Sequence, residues 1–301
     1  MEDAEKTGRK IGILINPAAG GMLDPRALQK ELTDLFQKSG TLLQYHVSAG
    51  KENLLEAAFQ MLRDGCTALA VAGGDGSIHQ ILPALIGHDV PFGVLPLGSV
   101  NLLALEMGIP RDTTAAVKII QKGKTRRMDA GVVNGRYFFQ VLGTGLDAQV
   151  LRYVKTRWQK QWRTVYLPFV GMAAWFKNRV LPWHIRFDGK YFVRTSPGLI
   201  VANGAMYGGP FRLAPDVSNS DGELDLFILP KIPFGALVRF CIGVSTGCSV
   251  HTNMEHMRAK NFRIECEPLI EDVPVHVDGE LGLAMPLEIQ VKPRAISLLI
   301  P

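Results

Sequence analysis

Residues 70–80 read Ala70-Val71-Ala72-Gly73-Gly74-Asp75-Gly76-Ser77-Ile78-His79-Gln80, an apolar run that ends in three glycines around one carboxylate before a helical pattern begins. Such a turn leaves backbone N–H groups unpaired at a helix N-terminus, with no side chains to block a phosphate. Ser77 adds a hydroxyl donor. Asp75 does not attract phosphate by its own charge; its presence makes sense if Mg2+ or its water lies between them. The plain alternative is a strand-to-helix turn with Asp75 or Ser77 as N-cap. No G-x-x-x-x-G-K-[ST] spacing occurs, so this is not a Walker-type phosphate loop.

Two more small-residue loops follow apolar runs. Asn16-Pro17-Ala18-Ala19-Gly20-Gly21 comes after residues 11–15, and Pro96-Leu97-Gly98-Ser99-Val100-Asn101 comes after residues 92–95. Each alone reads equally well as an ordinary turn. In an open α/β sheet, however, ligands bind outside the carboxyl ends of the strands, so three such loops converge on one crevice.

The elements that must position these loops follow from the apolar pattern. Leu28, Leu32, Leu35 and Phe36 share a helical face, as do Leu54, Leu55, Ala58, Phe59 and Leu62. Strand-like runs at 42–47 and 68–72 alternate with them; 78–86 reads as a helix interrupted by Pro83, and 113–121 as a helix ended by Gly123. This alternation predicts a parallel, Rossmann-like sheet covered by helices. Beyond Thr125 the rhythm becomes that of hairpins, with Asn134-Gly135 and Asp188-Gly189 at tight turns and further runs at 199–202, 224–229, 262–266, 275–277, 287–291 and 296–300. The expectation is an α/β domain over 1–130 and a mainly β sandwich over 131–301, with a helix at 234–244. The last strand is free to return to the first domain, and no linker separates the halves.

The 301 residues allow about two ordinary domains, and 47% hydrophobic with 20% charged residues excludes a disordered chain. Cys66, Cys241, Cys248 and Cys266 form no C-x-x-C pair and read as reduced core thiols of a cytoplasmic protein. The polar start at 1–10 lacks a secretory pattern, and the longest apolar stretch, 165–176, is too short to span a bilayer. The net charge of +5 suits an anionic ligand or surface without selecting one.

The charge has a local concentration. Arg152, Lys155, Arg157, Lys160 and Arg163 fall in a window without acids that also holds Tyr153, Trp158 and Trp162, and Phe169, Trp175, Phe176 and Trp183 follow. Val154, Trp158 and Trp162 share a helical face flanked by cations, a pattern suited to transient docking on anionic lipid. The alternative is an ordinary helix with buried tryptophans and solvated cations. No nucleic-acid motif accompanies the patch.

Together the blocks Asn16-Pro17-x-x-Gly20, Gly73-Gly74-Asp75-Gly76-Ser77, Pro96-x-Gly98-Ser99-x-Asn101, Gly143-x-Gly145-x-Asp147-Ala148, Asp221-Gly222-x-Leu224 and Asp278-Gly279-Glu280 resemble the diacylglycerol kinase catalytic-domain family. The likeness is greatest to its soluble bacterial lipid-kinase branch. The resemblance spans nearly the whole chain and implies ATP-dependent phosphoryl transfer to a lipid hydroxyl, with diacylglycerol, phosphatidylglycerol or a sphingoid as acceptor. It places the active site in a cleft between the two domains. By the match, Asn16, Ser48, Gly74, Asp75, Gly76, Ser77, Ile78, His79, Gln80, Ser99 and Asn101 hold ATP. Mg2+ takes a carboxylate from Asp221 and backbone oxygens from Ser218 and Glu223, although Asp221-Gly222 also reads as a simple turn. Asp278, itself in a hairpin-turn pattern, is implied as the base, with Glu280 beside it in a carboxylate and water network open to Asp75 and Asp129. A homodimer is compatible with this reading.

The chain departs from the family pattern at three places. Gly21 stands where relatives often carry a basic residue, which passes phosphate neutralisation to Arg26, another cation or Mg2+; Ser77 and Ser99 replace threonines; and Leu102 replaces an aspartate. The competing readings are an NAD kinase-like or phosphofructokinase-like enzyme, and a lipid-binding protein without catalysis.

Overall fold

A computed structural model describes residues 9–19, 24–48, 54–88, 90–157, 180–208, 211–231, 254–267 and 273–301. The chain divides into two compact units, one of Met1–Ala130, Gly204–Asp221 and Lys292–Pro301, the other of Gly131–Asn203 and Gly222–Val291.

The first unit alternates strand and helix: β1 (Lys10–Ile15), α1 (Pro25–Phe36), β2 (Leu42–Val47), α2 (Leu54–Arg63), β3 (Ala68–Gly73), α3 (Asp75–Leu85), β4 (Pro91–Pro96), α4 (Leu102–Met107), α5 (Thr113–Lys122) and the start of β5 (Thr125–Val133). The parallel order is β2-β1-β3-β4, and every β3 residue is buried, as expected of a central strand covered on both faces. Asp24 and Asp112 cap α1 and α5, accepting from the amides of Arg26 and Ala115, each at 2.8 Å. The interruption expected at Pro83 does not occur. The helix runs on to Leu85 with Ile78, Ile81, Leu82 and Leu85 buried, so packing outweighs the hydrogen bond that proline cannot donate.

The second unit contains β6 (Arg136–Phe138), β7 (Val141–Gly145), α6 (Leu146–Arg157), β8 (Leu181–Phe187), β9 (Lys190–Ser196) and β10 (Gly198–Ala202). The chain then contributes β11 (Met206–Tyr207) and β12 (Phe211–Arg212) to the first unit. It returns to the second with β13 (Leu224–Ile228), β14 (Glu255–Ala259), β15 (Asn261–Cys266), β16 (Val275–Val277), β17 (Glu280–Leu281) and β18 (Leu287–Leu299). The first residues of β18 pair with β15, and its last, Ser297 and Leu298, pair parallel with β4.

One antiparallel sheet has the order β14-β13-β10-β7-β16-β17, and β18, β15, β8 and β9 form a second antiparallel set. Alternate residues from both meet in one core: Trp183, Ile185 and Phe187 of β8, Ile264 and Cys266 of β15, Leu199 and Val201 of β10, and Leu224, Leu226 and Ile228 of β13. This is the period-two burial of a sandwich. Three of its hairpins turn on Asn134-Gly135, Asp188-Gly189 and Asp278-Gly279, all at positive φ, as tight turns of this hand require.

Trp183 corrects one expectation. It belongs to this core, fully buried, with Nε1 donating to the Ser196 carbonyl at 2.9 Å, and so takes no part in a surface aromatic patch. α6 carries the start of the basic segment, with Arg152 exposed, while Trp158, Trp162 and residues up to 179 lie outside the described residues. So do Gly20, Gly21, the helix expected at 234–244, Cys241 and Cys248. Cys66 and Cys266 are free and buried, and burial pushes both thiols up. No helix among the described residues is long and apolar enough to cross a membrane.

Candidate active site

The three glycine-containing loops leave β1, β3 and β4 side by side at their carboxyl ends. Asn16, just after β1, donates its amide N–H to Ala72 on β3 at 3.0 Å, and its side-chain Nδ2 donates to Ser77 Oγ at 2.9 Å. Its Oδ1 accepts from Ala18 at 3.0 Å. The first loop is thereby tied to the first turn of α3, where the leading N–H groups have no intrahelical acceptor. The second and third loops touch through bare backbone: a Cβ on Gly98 would lie 2.5 Å from Gly74 Cα, and one on Gly74 would lie 3.1 Å from Gly98 Cα. The glycines are there because the loops approach too closely for a side chain.

Asp75 has an unexpected task. Its two oxygens accept from Leu102 at 2.9 Å and Leu103 at 3.3 Å, so it caps α4, not its own helix, whose N-cap is Gly74. α4 needs this because Asn101, at its N-cap with φ 59, turns its side chain back into the 96–101 loop. Asn101 Oδ1 accepts from Gly98 at 2.9 Å, and Nδ2 donates to the carbonyls of Pro96 at 3.2 Å and Gly98 at 2.8 Å. Asn101 therefore builds the loop.

The remaining candidates divide by exposure. Gly76, Gln80 and Ser99 are exposed and His79 is half-buried, whereas Ser48 is buried and its amide donates to Ile15 at 2.9 Å. Ile78 is 2% exposed; its side chain lies in the core and its amide donates to Gly74 at 3.3 Å, leaving it no side-chain route to a nucleotide. Sequence reasoning missed Arg111, whose Nη2 donates to the carbonyls of Gly98 at 3.0 Å and Ser99 at 2.6 Å. It brings a cation to this loop, and only the fold reveals it, since nothing in the neighbouring residues marks it.

In the loop at 218–221, Asp221 is exposed and precedes Gly222 at φ +79, so the Asp-Gly turn is realised. Ser218 Oγ lies 3.4 Å from Ser220 Oγ. Asn219 is 2% exposed, and its Oδ1 is buried without a hydrogen-bond partner. Ser218 and Asp221 carry oxygen donors, a hard set that fits Mg2+, and the buried Asn219 Oδ1 belongs to the same loop. Glu223 lies beyond the boundary, in the second unit, where its carboxylate stands 3.8 Å from Arg258 Nε. Among the described residues no group of three or more His, Cys, Asp or Glu side chains gathers as a metal site.

In the second unit Asp278 occupies the β16–β17 turn at φ 46, with Glu280 exposed on the next strand. The backbone between β6 and β7 wraps around its carboxylate: Oδ2 accepts from Phe139 at 2.9 Å, and Oδ1 accepts from Gln140 at 3.0 Å and Val141 at 2.9 Å. Behind the turn, His276 Nε2 lies 2.7 Å from Asp147 Oδ2, both nearly buried, while His276 Nδ1 accepts from Gly279 at 3.3 Å. That acceptor role places the proton on Nε2, facing Asp147. Gly143 is needed here, because a Cβ would overlap both Asp147 Oδ2 and His276 Nε2. Asp129, the other carboxylate expected near the base, is in the first unit with Asp75; it is 1% exposed and accepts from Arg294 at 2.7 Å.

The family model for the diacylglycerol kinase catalytic domain matches residues 10–133, and that for the YegS C-terminal NAD kinase β-sandwich-like domain matches residues 140–300. The chain belongs to the diacylglycerol kinase family, with the YegS-type sandwich. A diacylglycerol kinase of Mycobacterium tuberculosis (strain ATCC 25618 / H37Rv) is 28% identical over 303 residues, covering 97% of this chain and 95% of that protein. One of Bacillus subtilis (strain 168) is 27% identical over 299 residues, covering 97% of each. A crystal structure of a diacylglycerol kinase from Bacillus anthracis str. Sterne shares the fold, with TM-score 0.73 at 20% identity over 97% of each chain. As a diacylglycerol kinase-family enzyme the chain is a lipid kinase, and the family implies ATP use.

Proposed function

We propose that the protein transfers the γ-phosphoryl group of ATP to the hydroxyl of diacylglycerol, with nucleotide held by the loops after β1, β3 and β4. The observation that carries this reading is the interlocking of those loops, Asn16 to Ser77 at 2.9 Å and Gly98 against Gly74, at the carboxyl ends of adjacent parallel strands. Diacylglycerol is favoured over phosphatidylglycerol or a sphingoid by the relatives named above, which are aligned along almost the full chain.

The division of labour follows from the side chains. The amides that open α3 and the Ser77 hydroxyl meet the phosphates. Arg111 adds positive charge at the 96–101 loop where Gly21 offers none. Ser218 and Asp221, with a backbone oxygen of Glu223, would hold Mg2+, which would supply neutralisation of phosphate charge. Asp278, its carboxylate held by the amides of Phe139, Gln140 and Val141, accepts the attacking hydroxyl's proton. Glu280 adds a second carboxylate beside it. The basic segment beginning in α6 docks the enzyme on an anionic surface.

The test is to incubate the protein with labelled ATP, Mg2+ and, separately, diacylglycerol, phosphatidylglycerol, sphingosine, ceramide and NAD. Label on diacylglycerol above all others is expected. Label on NAD alone would overturn the lipid assignment, and no label anywhere would leave a binding protein.

A further inference from the structure

α4 is short, but it carries a carboxylate contact at each end. At its start, Asp75 of the glycine loop holds the amides of Leu102 and Leu103. In its last turn Glu106 is half-buried, and its Oε1 accepts from Asn219 Nδ2 at 2.7 Å and from the Ala205 amide at 3.2 Å. Those partners stand at opposite ends of Gly204–Asp221, the segment that joins the first unit from the middle of the chain. A single oxygen therefore clasps both ends of the excursion. Asn219 is further fixed by its carbonyl, which accepts from Asp129 at 2.7 Å, and it lies between Ser218 and Asp221. Six helical residues span about 9 Å, so α4 joins the two contacts over a short stretch of hydrogen-bonded backbone.

We infer that Glu106 is a positioning residue that couples the 218–221 loop to the nucleotide loops, so that binding of nucleotide orders the loop through α4. The inference rests on the nucleotide reading proposed above. A carboxylate is the apt acceptor, because hydrogen bonds to an ionised oxygen are about twice as strong as neutral ones and one such oxygen can serve two donors. Seen as sequence, Glu106 is an acid in an otherwise apolar helix, Leu102-Leu103-Ala104-Leu105-Glu106-Met107, with nothing to indicate a partner more than a hundred residues away.

The test is hydrogen exchange of the full chain with and without ATP, followed by mass spectrometry of peptides covering 74–80 and 216–221. In the wild-type protein ATP slows exchange in both. In Glu106→Ala the protection at 74–80 remains within about twofold, while that at 216–221 is lost, with exchange about tenfold faster. Glu106→Gln, whose amide oxygen still accepts from both donors, restores it. Asn219→Ala reproduces the Glu106→Ala pattern from the other partner and serves if Glu106→Ala does not fold. The double variant is no worse than either single one, as expected of two groups acting through one bond. Equal ATP protection of 216–221 in wild type and in Glu106→Ala or Asn219→Ala overturns the coupling. Protection at 74–80 alone in the wild type overturns it too while leaving the nucleotide reading intact. No ATP effect at 74–80 removes both.

Discussion

Asp75 and Asp278 stand in the two units as the most conspicuous carboxylates of their motifs, and both spend their oxygens on backbone amides. Asp75 reaches from one loop to another, joining the turn after β3 to the helix that follows the 96–101 loop. Asp278 is gripped by three successive amides of one connection, Phe139 to Val141, and is backed by the His276–Asp147 pair. The proposed nucleotide site is thus assembled from separate strand ends whose positions depend on one another. The Asp278 turn is a device local to one unit in space, held by a single connection that lies 137 to 139 residues away in the chain. Damage should spread in the first case and stay confined in the second.

The largest effect is expected from Asp278→Asn. Loss of a general base lowers turnover by about a hundredfold or more, and facing an amide nitrogen toward backbone donors costs about 1–3 kcal/mol of stability. ATP affinity, measured by calorimetry, stays within about twofold. Near wild-type kcat would remove Asp278 from the base role, and a parallel collapse of ATP binding would show that the turn is not a local device.

Gly143→Ala and Gly98→Ala sharpen the contrast as a pair. A methyl at 143 forces Asp147 away from His276; overpacking of this kind costs about 1–3 kcal/mol, and kcat should fall with ATP affinity unchanged. A methyl at 98 presses on Gly74 Cα and Asn101 Oδ1, each 2.5 Å away, and should weaken ATP about tenfold, or about 1.4 kcal/mol, because two loops move at once. Melting curves with paired kcat and ATP-affinity measurements check both. If the two substitutions gave the same profile, the distinction between an interdependent site and a local one would fail.

What the sequence made legible, and what it did not, follows the range of the interactions. The sandwich strands and their hairpins could be read because period-two burial and Asn-Gly or Asp-Gly turns are local signals, as at Asn134-Gly135 and Asp188-Gly189. The glycine loops could be read because close backbone approach demands glycine wherever it occurs. The role of Asp75 as a cap for α4 was hidden because the amides it serves lie 27 and 28 residues away. The His276–Asp147 and Glu106–Asn219 contacts join residues 129 and 113 apart, and a single chain carries no mark of such pairing. Trp183 shows two local signals in conflict: composition grouped it with the aromatics that follow the basic segment, while the strand-like run 183–187 before Asp188-Gly189 is β8, whose alternation turns it into the core.

The smallest effect tests the weakest of the ties among the loops proposed to hold nucleotide. Ser77→Ala removes the hydroxyl that accepts from Asn16 Nδ2 at 2.9 Å, leaving the Asn16 amide to the Ala72 carbonyl and Oδ1 to Ala18. A neutral hydrogen bond of this kind contributes about 1 kcal/mol, so ATP affinity should drop about fivefold with kcat little changed. Ser77→Thr keeps the hydroxyl but adds a methyl near Gly73, whose own built Cβ would already be 2.6 Å from Ser77 Oγ. The threonine variant therefore separates the two contributions. Affinity near wild type assigns the loss in Ser77→Ala to the hydroxyl, whereas a loss equal to that of alanine means that the fit against Gly73, and not the bond to Asn16, sets the position of the loop.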